Sequence, residues 1–267
     1  MSNILIAVIL GIVEGITEFL PISSTGHLIL FNRLVKFTGS FANMFDVIIQ
    51  LGAILSVVVY FWRRINPFYN GKTKQEKSET WDLWKKTMVG IIPALLIGGT
   101  IGKVVEKVLF NPLTVALALV IGGIVLIIVE NRKKLNNINS IASLSYKTAF
   151  FIGLIQCLAM IPGTSRSAAT IIGAMLLGAN RSVAAEFSFF LAIPTMIAAS
   201  VYSFLKGDAG LSAAEWQILS IGFVVSFLVA WGVIAAFMNY IKKKDFKPFG
   251  YYRIVVGIAV LCITFIK

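Results

Sequence analysis

Two acids four residues apart, Glu14 and Glu18, sit in an otherwise apolar N-terminal stretch, and Pro21-Ile22-Ser23-Ser24-Thr25-Gly26-His27 follows at once. Residues at i and i+4 share one face of a helix. Two carboxylates facing one cavity either share a proton or bind a divalent cation. The plainer alternative puts them in water at a helix end, paired with Lys or Arg, but Glu18 stands three residues before Pro21, nearer the loop than a membrane surface. His27 is the only histidine of the chain. A lone histidine is ordinarily structural, yet one that closes a Ser/Thr/Gly loop beside two acids can act as general acid or base, or attack phosphorus itself. A second polar stretch, Pro162-Gly163-Thr164-Ser165-Arg166-Ser167, has the make-up of an anion cradle. Hydroxyls and loop N–H groups face the ligand, the start of a following helix adds its positive dipole end, and Arg166 supplies a planar fork. The blander alternative is a kinked packing turn in which Arg166 pairs with Glu18.

These groups stand out because the rest of the chain is so apolar. Of 267 residues, 58% are hydrophobic and 13% charged, and the mean hydropathy is +0.87. A water-soluble domain carries far more surface charge, so the chain is expected to be an integral membrane protein. Its length allows roughly six to eight crossings at about 20 residues each. An ionisable residue inside a span costs about 2.5–3.5 kcal/mol, so Glu14, Glu18, His27 and Arg166 are expected to cluster and pair. The net charge of +12 reports orientation and anionic headgroups rather than nucleic acid, which is not an expected partner. No cleavable signal peptide is expected, because no basic segment precedes the apolar residues 4–13. Cys157 and Cys262 lie in apolar runs without metal-ligand spacing and read as packing residues.

Apolar runs long enough to cross occur at residues 44–62, 88–110, 112–130, 184–205, 216–240 and 250–266. Residues 3–37 and 148–178 are also apolar, but each is broken by one of the polar loops, as in a helix that enters the membrane, breaks and returns to the same side. Irregular backbone at that depth is tolerated only where protein or a water-filled cavity satisfies it. Pro21 and Pro162 are 141 residues apart, and Asp46 and Glu186 are 140 apart. Gly11-Ile12-Val13-Glu14 also matches Gly153-Leu154-Ile155-Gln156. These offsets point to duplication, with residues 1–135 as one half and 136–267 as the other. The basic clusters around Arg63-Arg64 and Lys72–Lys86, at Arg132-Lys133-Lys134 with Lys147, and at Lys242-Lys243-Lys244 with Lys247 are all expected in the cytoplasm. Each half then holds one re-entrant hairpin and three crossings, so the second half is inverted, and both termini lie outside. The expected fold is an all-α polytopic membrane protein with an inverted-topology repeat. The glycine pairs Gly11/Gly15, Gly98-Gly99 and Gly122-Gly123 are expected to permit close helix packing. Trp62, Trp81, Trp84 and Trp216 suit an interfacial belt, while Arg181, Asp46 and Glu186 are expected at span ends.

The polar motifs resemble those of a known family, the undecaprenyl-diphosphatases of bacteria, also called bacitracin-resistance proteins. The stretch from Glu14 through Glu18 to His27 resembles the family's acidic motif and serine loop, and Pro162 through Ser167 resembles its second signature. The likeness runs the whole length and includes Phe249-Gly250-Tyr251-Tyr252-Arg253. It implies hydrolysis of undecaprenyl pyrophosphate to the monophosphate carrier for peptidoglycan synthesis, in the bacterial plasma membrane, with a site opening to the outer face. It also implies a divalent metal, Mg or Ca, on Glu14 and Glu18, which would bind the ion or activate water. Ser24 or His27 would attack or transfer protons, with His27 as the expected base toward water or Ser24. Ser23, Thr25, Ser165, Arg166, Ser167 and Thr170 would hold the phosphates. The expected partners are the polyprenyl pyrophosphate, the bilayer and, in a homodimer, a second copy of the chain.

Two rival readings compete. Inverted repeats with broken helices at the midplane are what secondary transporters use, so a transporter or flippase of a phosphorylated lipid is the main alternative. The type 2 phosphatidic acid phosphatases share a Ser-Gly-His-like loop and a Ser-Arg motif. They need a second histidine, which this chain lacks.

Overall fold

The computed structural model describes residues 2–132, 137–204 and 211–265. Lys133 and Lys134 of the second basic cluster, and the expected boundary between the halves, lie outside the described residues. The described chain is helical: α1 (Asn3–Thr17), α2 (Ser24–Val35), α3 (Ser40–Tyr60), α4 (Trp62–Ile65), α5 (Lys74–Leu109), α6 (Pro112–Asn131), α7 (Tyr146–Gln156), a 3-10 turn (Cys157–Met160), α8 (Arg166–Leu176), α9 (Arg181–Phe204), α10 (Ala213–Ile241) and α11 (Lys247–Phe265). Side-chain caps fix several starts. Ser2, Asn111 and Ser145 accept backbone N–H bonds at the heads of α1, α6 and α7, and Ser212 with Glu215 forms a capping box on α10.

Among the described residues, five helices are long and apolar enough to cross a membrane: those beginning at Ser40, Pro112, Arg181, Ala213 and Lys247. Their outward faces carry exposed Leu55, Ile121, Ile128, Leu228 and Val255. A helix apolar on its outer as well as its inner face belongs in lipid, so this is a multi-pass membrane protein. The expected span at residues 88–110 is the C-terminal part of α5, one continuous helix of 36 residues that begins in the charged segment before it.

Both broken regions are present. Helix α1 has 15 residues and α7 has 11, so at 1.5 Å per residue each falls short of a hydrocarbon core about 30 Å thick. Pro21 and Pro162-Gly163 follow the two helix ends, and α2 and α8 begin after them and pack on α1 and α7. The glycine interfaces decide how these short helices are held. A Cβ added at Gly11 would lie 2.9 Å from the Gly222 carbonyl, and one at Gly15 2.8 Å from that of Ser226, so α1 runs alongside α10 in the same direction. Gly153 of α7 sits so close to Gly90 of α5 that any side chain would collide with that backbone. Gly123 packs against Gly250 in the same way, joining α6 to α11. Helix α3 packs on α9 and α10, and α5 on α9. Gly98-Gly99 departs from the expected packing role. A Cβ at Gly98 would meet only the Met160 methyl, at 3.8 Å, and one at Gly99 would meet nothing within 4 Å.

Phe19, Phe61, Phe189, Phe190, Phe237 and Phe246 are buried together at the centre, with Phe19 and Phe189 edge to face at 5.2 Å. Trp62, Trp81 and Trp216 are exposed, whereas Trp84 is partly buried and donates its indole N–H to the Ile65 carbonyl. Arg181 pairs with Glu130 and Glu186 with Arg64, while Asp46 accepts from Asn32.

Candidate active site

Serine geometry makes the two loops alike. Ser23 and Ser165 have left-handed backbones, with φ of 75° and 71°, a conformation that costs a non-glycine residue energy and concentrates at functional sites. Each turns the chain into a helix and caps it: Gly26 N–H donates to Ser23 Oγ at 3.3 Å, and Ala168 N–H donates to Ser165 Oγ at 3.1 Å. The next residue in each loop is thereby the first of its helix, Ser24 on α2 and Arg166 on α8.

Those two residues meet on Glu18. The Ser24 hydroxyl donates to Glu18 Oε2 at 2.5 Å, and Arg166 Nη2 donates to Glu18 Oε1 at 2.7 Å. The carboxylate thus links an acceptor-bound hydroxyl to a guanidinium. Arg166 Nη1 also donates to the Ser188 carbonyl at 3.2 Å, and its Nε–H has no acceptor in the protein. Glu18, Ser24 and Arg166, with Ser23, Thr25 and Ser165, line one side of a cavity of about 640 Å³. Ile91, Leu95, Gly98, Gly99, Met160 and Phe110 give it an apolar side. A hydroxyl bonded to a carboxylate, beside an arginine and a long apolar wall, can transfer a phosphoryl group carried on a lipid.

The other expected site residues take different places. Glu14 is fully buried one turn before Glu18, off the cavity wall, and neither of its oxygens has a hydrogen-bond partner. Ser167 and Thr170 lie behind the wall. Ser167 donates to the Leu20 carbonyl at 2.8 Å and so ties the two loops together, and Thr170 bonds Ser188 at 2.6 Å. His27 is bonded to neither Ser24 nor Glu18. Its Nδ1 lies 2.8 Å from the Ser23 carbonyl and its Nε2 2.8 Å from the Tyr252 hydroxyl. Of the expected roles of His27, as base toward water or Ser24, the second has no direct hydrogen bond here: Ser24 bonds Glu18, and the helical turn that begins at Ser24 carries residue 27 toward α11.

Sequence reasoning passed over Arg253 and Gln156. Arg253 is fully buried and donates to four carbonyls, those of Pro21, Gly163, Ala118 and Leu119, at 3.0–3.4 Å. It therefore braces both loops against α6, and a side chain at Gly122 would displace its guanidinium. The signal was available: Arg253 lies in an apolar run, where the cost that singled out Arg166 applies equally. Gln156, at the end of α7, lines the cavity.

Residues 7–259 match the family described as bacitracin resistance protein BacA. The chain belongs to this family. Among relatives of the BacA family member, the Clostridioides difficile protein named undecaprenyl-diphosphatase 1 is 52% identical over 262 residues, covering 97% of this chain and 96% of that one. An undecaprenyl-diphosphatase of Fusobacterium nucleatum is 52% identical over 266 residues, 97% and 99% of the two chains. One from Limosilactobacillus fermentum is 49% identical over 268 residues, 98% and 97%.

Proposed function

We propose that this chain is a membrane phosphatase that hydrolyses undecaprenyl pyrophosphate to undecaprenyl phosphate and inorganic phosphate, recycling the carrier for peptidoglycan synthesis and conferring bacitracin resistance. The observation that carries this is the Glu18 carboxylate held between the Ser24 hydroxyl and the Arg166 guanidinium on a cavity with one apolar side. The pyrophosphate lies against the polar side, and the prenyl chain runs along the α5 side past Leu95, Gly98 and Gly99. Ser24 Oγ attacks the terminal phosphorus and Glu18 takes its proton. The bridging P–O bond breaks and the lipid leaves as its monophosphate. Water then attacks the phosphoserine, the Ser24 oxygen leaves, and the proton held on Glu18 returns to it. Arg166, on the cavity wall, meets the charge that develops on the transferred phosphoryl oxygens. Ser23, Thr25 and Ser165 present further hydroxyls to the phosphates.

A divalent cation, Mg or Ca, fits the acids. Glu14 has two buried oxygens without partners, and a buried carboxylate needs a cation or a proton. Hard oxygen donors suit either ion. Among the described residues no group of three His, Cys, Asp or Glu is assembled. Glu14 and Glu18 would therefore hold the ion with the substrate's own phosphates, as magnesium sites do. When bound, it supplies charge neutralisation at the pyrophosphate.

The same reading has two inverted halves, residues 1–135 and 136–267. The matching left-handed serines support it, as does the packing: α1 lies on α10 while α7 lies on α5, α3 lies on α10 while α9 lies on α5, and α3–α9 and α6–α11 pair across the halves. Basic clusters in the cytoplasm put both termini and the site's opening on the outer face of the plasma membrane. This twofold arrangement also favours a second reading, movement of the phosphorylated lipid across the bilayer.

Phosphate release from a long-chain prenyl pyrophosphate, by purified protein in detergent with Mg, Ca or a chelator, separates the two. Hydrolysis predicts release that the chelator abolishes and that Glu18→Gln lowers by roughly 10²–10⁴-fold with folding intact. A well-folded wild type that releases nothing with any ion leaves transport as the account.

A further inference from the structure

The ring of His27 is held from both sides. Its Nδ1 faces the Ser23 carbonyl, which can only accept, so the proton sits on Nδ1. In a neutral imidazole Nε2 is then a bare acceptor, and the group 2.8 Å from it is the Tyr252 hydroxyl. The two rings are also parallel, 4° apart in orientation with centroids 5.6 Å apart. Arg253, the residue after Tyr252, is buried and spends its donors on four backbone carbonyls. The placement of Tyr252 is itself fixed, because Arg253 ties this part of α11 to both loops and to α6.

We infer that Tyr252 is a positioning residue. By donating to Nε2 it holds His27 as the Nδ1–H tautomer, whose N–H holds the Ser23 carbonyl and with it the left-handed backbone that presents Ser24 to Glu18. Tyr252 reaches the reacting atoms only through His27 and Ser23, and His27 acts here as a strut rather than as the base. The inference rests on the phosphatase reading for its effect on turnover, but the tautomer is read without substrate.

Because His27 is the only histidine, protein labelled with 15N-histidine in detergent gives the two ring nitrogens of one imidazole. The expected spectrum is that of a single neutral Nδ1–H tautomer with Nε2 accepting a hydrogen bond. Tyr252→Phe keeps the ring and its stacking but removes the O–H. It is expected to move the Nε2 resonance toward the unbonded position and to lower kcat about three- to tenfold, the scale of one hydrogen bond, with KM unchanged. An Nε2–H tautomer or an imidazolium in the wild type overturns the inference, and so does a Tyr252→Phe protein with wild-type Nε2 shift or wild-type kcat. If the variant is recovered unfolded, the wild-type tautomer decides alone, since an Nε2–H ring cannot accept from Tyr252. A wild type with the expected tautomer and no phosphatase activity overturns the functional reading and leaves the strut in place.

Discussion

At the scale of single residues, the site turns on one carboxylate that serves two partners. Glu18 is buried, and its two oxygens are taken by the Ser24 hydroxyl and the Arg166 guanidinium. Arg166→Lys separates charge from shape. A lysine keeps the cation but loses the planar fork that bonds Glu18 and the Ser188 carbonyl at once. We expect KM for the pyrophosphate to rise about tenfold or more and kcat to fall, measured by phosphate release at saturating metal. Ser24→Ala in the same assay decides the nucleophile. Loss of about 10³-fold or more fits attack by Ser24, whereas near-normal turnover makes water the attacking group with Glu18 as its base.

At the scale of elements, two short helices reach the middle of the protein because glycines let them lie against long ones. Gly153→Leu would drive a side chain into the Gly90 backbone. Overpacking of this kind costs about 1–3 kcal/mol or more, and the interface here is backbone against backbone, with no side chain to yield. A lower unfolding temperature in detergent, with loss of the Pro162–Ser167 loop geometry and hence of activity, is the expected outcome. Gly99→Leu tests a different use of glycine. Its added side chain meets open space, so stability is expected to hold while the apolar side of the cavity narrows. KM for a C55 pyrophosphate should then rise well above that for a C15 one. Equal effects on both would place the prenyl chain elsewhere.

At the scale of the whole molecule, the proposed sidedness rests on charge and packing together. Helix α1 runs in the same direction as α10, so the N-terminus shares a face with the start of α10. The Lys242-Lys243-Lys244 turn lies at the opposite end. In a protein with Cys157 and Cys262 replaced by Ser, Asn3→Cys is expected to react with a membrane-impermeant maleimide in intact cells, and Lys243→Cys only after the membrane is opened. The reverse pattern would invert the topology and the direction in which the site opens.

Much of this was legible without coordinates. Apolar runs announce the membrane because charge is costly there, and the same cost marked Glu14, Glu18, His27 and Arg166 as residues needing partners. Proline and glycine in the two loops announced the breaks, since backbone groups freed at that depth must be satisfied nearby. The pairing of Arg166 with Glu18, 148 residues away, was foreseen only as one of two alternatives, because sequence spacing says nothing about contacts between distant helices. Which partner each polar group takes was a tertiary matter. A helical turn starting at Ser24 aims the histidine at Tyr252, 225 residues on, and leaves the serine to Glu18. Arg253 could be counted as costly from its neighbours alone, yet only packing shows that four carbonyls from two loops and one helix, α6, absorb that cost. Composition and local backbone chemistry act within a few residues and determine what must be buried, bent or satisfied; long-range packing decides what satisfies it, because those bonds form only once the helices have met.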